Sequence, residues 1–272
     1  MDFRRIEVIF LIVFFSLDIF LFLSFRNSQQ LVSSTSTNTS TVTEMRKRNI
    51  SFGTLDTKGG NAYYLGSQPD DSLAQNVNKL RNQEVQYDEE NHKITSSLNS
   101  SISVTTSDRQ KVMDKFIKKE SNVLFGKDYK YAPQLSTSSQ MVYVGTGPLG
   151  EVYDKTNQLT FTIESGRVVS YTQTHVRSMI ILHERQAIKS EKDVITNLYA
   201  NSEIPNNSKI SYANLAYTKL LVAKDSTIYI PVWFVTIKNK DSKVSSIKKV
   251  NAFTGNIIKN STNGDSNYNA QW

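Results

Sequence analysis

EVYDKTNQLTFTIESGRVVSYTQTHV, residues 151–176, is the stretch that decides the fold class. Apolar and polar residues alternate along it, and turn signals fall at DKTN (154–157) and ESGR (164–167). That pattern reads as antiparallel strands with one buried face. The preceding MVYVG (141–145) is a further strand. GTGPLG (145–150) between them carries Gly145, Gly147 and Gly150, yet no Gly-Lys-Ser/Thr follows, so it reads as a turn between strands and not a phosphate loop.

Downstream, Ile181, Leu182, Ala187, Ile188, Val194, Ile195, Leu198 and Tyr199 have helical spacing across Ser178 to Ala200. Two pieces are expected, the second opening near Ser190, where Asp193 completes a capping pattern. Then come three strands, within 210–223, 226–239 and 245–253, and a short extended NIIK after the turn at Thr254 and Gly255. Pro231 marks its strand as an edge or a bulge. The tail 261–272 reads as disordered.

Upstream, YYLG (63–66) is a short strand and Asp70 to Asn82 a capped helix, with Asp70 or Asp71 as cap. Period-two pieces follow at Val85 to Tyr87, Lys93 to Leu98 and Ser101 to Thr105. A helix over Asp108 to Lys119 buries Val112, Phe116 and Ile117. The polar stretch Phe125 to Ser139 is placed as a boundary, giving two α+β domains with antiparallel sheets and packed helices, 45–138 and 139–260. Residues 26–44, rich in Ser and Thr, lack the apolar surface needed to offset ordering and read as a flexible linker.

At the start, IEVIFLIVFFSLDIFLFLSF (6–25) is about 20 residues long, enough to cross roughly 30 Å of hydrocarbon. Its aliphatic and Phe residues, at about −0.5 kcal/mol each, outweigh the roughly +3 kcal/mol of Asp18 near the centre. No small-residue cleavage site closes it, so an uncleaved single transmembrane helix is expected. Arg4 and Arg5 favour a cytoplasmic N-terminus (1–5), leaving the rest extracytoplasmic. The lack of Cys fits such a domain without requiring it.

The charge of +7 is spread among acids and joined by no nucleic-acid-binding motif, which argues against nucleic acid as a partner. His92, His175 and His183 stand in no metal or triad pattern, so structural roles are expected. Asp88, Glu89, Glu90 and His92 do not match a calcium loop and read as a solvated hairpin turn. No serine lies in a nucleophile motif. No catalytic residue, metal or cofactor is expected.

Asp18 is the sharpest candidate, because an ionisable group in a span marks a protein contact. Leu11, Phe14, Phe15, Phe22 and Phe25 share its helical face by offsets of three, four and seven. A second candidate is Tyr229, Pro231 and Trp233, where an edge at Pro231 would accept a partner strand by β-augmentation.

These residues resemble a known family. The opening MDFRRIEVIFLIVFFSLDIFLFLSF, YYLG, GRVVSYTQTHV leading into IILHERQAI, and YIPVWFVTIKN followed by VNAFTGNII are similar, in order and spacing, to YycI (WalI) proteins. These are bitopic regulators associated with the essential cell-wall histidine kinase WalK (YycG). The resemblance implies an extracytoplasmic α+β domain pair, a YycH-like partner, and an anchor helix that contacts the kinase's helices. It implies regulation and no enzymatic activity. The ending also resembles a PepSY-type pattern, so the alternative expectation is a binding or inhibitory module for a secreted peptide or protease.

Overall fold

A computed structural model describes residues 3–30, 35–223 and 226–259. The chain divides into two compact units, Met1–Glu44 and Met45–Trp272. In the first, α1 (Phe3–Gln30) is one continuous helix. Its described side chains are Val8 and Phe10 to Phe22, a stretch that at 1.5 Å per residue reaches only about 20 Å. Among the described residues no helix is long and apolar enough to cross a membrane. Helix α2 (Thr35–Lys47) occupies much of the expected linker, which contains no Gly or Pro to break a helix. The tail 261–272 lies outside the described residues.

From Met45 onward the elements are β1 (Asn61–Ala62), β2 (Leu65–Ser67), α3 (Ser72–Asn76), β3 (Gln83–Asp88), β4 (Lys93–Ser103), α4 (Arg109–Ile117), β5 (Tyr129–Tyr131), β6 (Gln140–Gly147) and β7 (Gly150–Val152). They continue with β8 (Gln158–Glu164), β9 (Arg167–Thr174), β10 (Ile180–Ile181), β11 (Gln186–Ala187), α5 (Glu191–Ala200), β12 (Ser208–Ala223), β13 (Ser226–Asn239), β14 (Ser245–Asn251) and β15 (Ile257–Ile258). The main sheet runs β10-β2-β13-β12-β7-β6-β8-β9-β4-β3, with β14, β15 and β5 attached to its side. One parallel pair, Tyr217 with Val152, joins β12 to β7 in its middle.

Side-chain alternation turns that sheet into layers. In β6, Met141 and Tyr143 join the core under α4, with Met113, Ile117, Phe161 and Tyr171. Val142 and Val144, pointing the other way, meet Ala216, Ile230, Val232 and Phe234. The opposite face of β13 gives Val235 and Ile237 to the core under α5, with Val194, Ile195 and Leu198. The order is therefore helix, sheet, sheet, helix.

This arrangement crosses the boundary expected at 138/139. β4 pairs with β9 and β5 with β6, so segments on both sides of it share one sheet. The stretch read as a separator is itself packed: Leu135 and Ser136 are buried, and an added Cβ at Gly126 would lie 1.7 Å from the carbonyl oxygen of Ile117.

The strand readings around 151–176 hold, with turns at 154–157 and 165–166. Ser190 caps α5 with the reciprocal Asp193 bond. The expected helix over 178–189 is not formed. Ile180 and Ile181 pair instead with Gly66 and Leu65, because β-branched residues beside an available strand gain more from the ladder than from one polar helical turn.

Candidate functional site

The helical α1 places Leu11, Phe14, Phe15, Asp18 and Phe22 on one face, and all five side chains are exposed. The side chain of Phe25 lies outside the described residues. Phe10 and Phe14 stack obliquely at 5.6 Å, and the Ser16 hydroxyl donates back to Ile12 O at 2.8 Å; Asp18 is the one carboxyl among the described side chains of the stretch.

Tyr229, Pro231 and Trp233 do not form an edge. β13 is flanked by β12 along its whole length and, on its other side, by β2 and then β14. Pro231 sits where that second side changes strands, after Tyr229 pairs with Leu65 and before Val232 pairs with Asn251. Its carbonyl accepts from Ala252 N–H at 3.0 Å, so its nitrogen faces the same junction, where no ladder bond is lost. Tyr229 is fully buried and Trp233 Nε1 donates to Lys189 O at 3.0 Å. All three are structural residues of an interior strand.

His175 is buried and contacted at both ring nitrogens. Its side chain is 2% exposed and stacks on Phe125 at 4.5 Å. Nδ1 lies 3.2 Å from Asp70 Oδ2 and Nε2 lies 3.2 Å from Asp128 Oδ2. Both ring nitrogens therefore face carboxylate oxygens. Burial by itself would raise the Asp70 carboxyl, but the Ser72 hydroxyl and N–H, and then His175, hold it below the ordinary carboxylate value. The cluster joins the approach to α3, the turn before β5 and the end of β9. A structural role for this histidine was legible in the sequence; its partners, distant along the chain, were not.

Beside it is a cavity of about 340 Å³ between the Thr146–Gly150 turn and the Val176–Met179 segment, with Asp128 and Asn157 in its wall. His92 instead meets Asp71 at 3.2 Å, and His183 lies against Tyr64. Among the described residues no group of three or more His, Asp or Glu is placed to hold a metal.

The remaining feature is an apolar corner. Outside α1, the large hydrophobic residues left exposed among the described residues are Ile180, Ile181, Leu182, Leu220, Leu221, Val222 and Val244. All but Val244 lie on β10, directly after it, or at the end of the β12–β13 hairpin.

Among the described residues the exposed apolar surfaces are one helix face and one sheet corner. A family model described as YycI protein matches residues 28–253. The chain belongs to the YycI family. YycI proteins are regulators, and the coarse role follows from membership. Among solved structures, an uncharacterized protein from Eubacterium rectale matches at 9% identity and TM-score 0.45, over 78% of this chain and 91% of that one. YycH from Bacillus subtilis matches at 13% identity and TM-score 0.44, over 71% of this chain and 53% of that one. No curated protein matches at a significant level.

Proposed function

We propose that the chain is a non-enzymatic, membrane-anchored regulator of a WalK-like sensor histidine kinase, acting with a YycH-like partner. The family match over residues 28–253 carries this reading. The sequence of 6–25 supports the anchor, with its N-terminus in the cytoplasm and the sheet unit outside. Asp18, with Leu11, Phe14, Phe15, Phe22 and Phe25 on one face, supplies the surface that meets the kinase's helices. Contact there biases the kinase only if the face binds its two signalling states unequally, so the mechanism is a population shift.

The test is kinase autophosphorylation in proteoliposomes containing the chain, against a version whose residues 6–25 are replaced by an unrelated apolar helix. A native anchor that changes the rate, with loss of the change on replacement, supports the reading. An effect that survives replacement assigns the function to the external unit and overturns the anchor mechanism.

A further inference from the structure

Four aligned positions define the apolar corner: Ile180 pairs with Gly66, Gly66 with Ile228, and Ile228 with Leu221. Directly paired residues share a face, so Ile180, Ile228 and Leu221 form one apolar row. Leu182 extends it, folding over Gly66 so closely that a Cβ there would lie 2.9 Å from a Leu182 methyl carbon. The row continues from Ile230, Val232 and Phe234 of the inter-sheet core. It does not end in a polar rim: exposure rises to 59% at Ile180 and 45% at Leu221. The other face is apolar too, with Ile181 at 49% and Val222 at 61%, while an irregularity in the pairing between Lys219 and Leu221 pushes Leu220 outward.

A strand apolar on both faces belongs inside a sheet. β10 is instead the terminal strand of this one, with its outer backbone edge unpaired among the described residues. Exposed contiguous apolar surface of this kind marks an interaction site. The flanks are net cationic: Arg177 and Arg185 bracket the segment, and between them the only acid is Glu184.

That charge pattern disfavours a second copy. A two-fold antiparallel pairing of β10 with itself centres on one residue. Centred on Ile181, it sets Arg177 against Arg185; centred on Ile180, it sets Arg177 against His183. In neither register does Glu184 meet a cation, and like charges directly opposed are unfavourable. We propose that the outer edge of β10 receives an extended apolar segment of a different polypeptide, carrying acidic residues at its ends, as an added strand.

The probe is an eight-residue peptide of alternating valine and threonine with aspartates at both ends, compared with a twin ended by lysines, each titrated against the full chain in detergent micelles. The aspartate peptide is expected to bind about tenfold more tightly. It should also slow amide exchange at residues 180–182. Ile180→Lys, at an exposed position, should abolish binding, while Val244→Lys should leave it intact. Equal binding of the two peptides, binding that survives Ile180→Lys, or no binding overturns the proposal. Two further outcomes also overturn it: self-association lost on Ile180→Lys, which assigns the edge to a second copy, and insertion of a probe at residue 221 into phosphatidylglycerol vesicles, which assigns the corner to lipid. No kinase is present in these assays, so their failure and that of the regulator reading are separate results.

Discussion

His175 and Asp70 stand 105 positions apart in the chain, yet Nδ1 and Oδ2 are 3.2 Å from each other. The same Asp70 oxygen accepts from Ser72 Oγ at 2.8 Å and from Arg177 N–H at 3.1 Å. A single carboxylate thus fixes the entry to α3 against the exit from β9, and Asp128, from the far side of the ring, ties in the turn before β5.

The two carboxylates should differ in weight. Removing the ring by His175→Gln leaves Asp70, 14% exposed, short of a partner and should cost about 2–3 kcal/mol. Asp128 is 54% exposed, so Asp128→Asn should cost less than about 1 kcal/mol. Urea unfolding of the two variants checks the order, and equal losses would show that Asp128 is the stronger tie.

Asp70 also sets a pH dependence. Its carboxyl is held below the ordinary value of 3.8, so the folded state takes up its proton later than the unfolded state as pH falls. The stabilisation is complete above the unfolded value and is lost as pH drops through the folded one. The stability gap between the parent and Asp70→Asn should therefore be constant above about pH 5 and shrink towards about pH 3. Melting temperatures across that range give the result, and a gap that widens on acidification contradicts it.

Gly126 tests whether the stretch between α4 and β6 is a linker or part of the core. A Cβ at this position would meet the Ile117 carbonyl oxygen at 1.7 Å, and that oxygen belongs to backbone that cannot swing aside. Gly126→Ala should cost about 3 kcal/mol or more. Gly147→Ala, with open space around it, should change stability by less than about 1 kcal/mol. Comparable melting temperatures for the two variants would return the stretch to linker status.

The legible parts of this fold were those written in local signals. Ser190 with Asp193, the turn at Ser165 and Gly166, and the alternation of β8 and β9 each specify structure within a few residues. What escaped depended on distant neighbours. Ile181 and Leu182 have helical spacing with Ala187 and Ile188, and only the presence of Leu65 and Gly66 alongside makes Ile180 and Ile181 a strand. Pro231 does weaken a ladder, but the change from β2 to β14 on one flank removes the penalty, so an interior strand carries it. A polar composition near Phe125 to Ser139 likewise says nothing about the pairing of β4 with β9, which joins residues on both sides of 138/139 in one sheet.

Asp18 is the last test and the one closest to function. A carboxylate in an apolar helix costs roughly 3 kcal/mol at a bilayer centre, so Asp18→Leu removes an insertion penalty and leaves the anchor at least as stable in the membrane. If the group does no more than reach interfacial water, the substitution is silent. If it meets a polar group on a kinase helix, the substitution strips one partner from a buried contact and should weaken the complex by about 1–2 kcal/mol, roughly five- to thirtyfold. Photocrosslinking from positions 14 and 22 in native membranes, followed by quantitative recovery of the captured kinase with and without Asp18→Leu, separates the two. Reduced capture at unchanged membrane abundance is the expected outcome. Capture that does not change removes Asp18 from the contact and leaves the aromatic stripe of Phe14, Phe15 and Phe22 to carry it by packing alone.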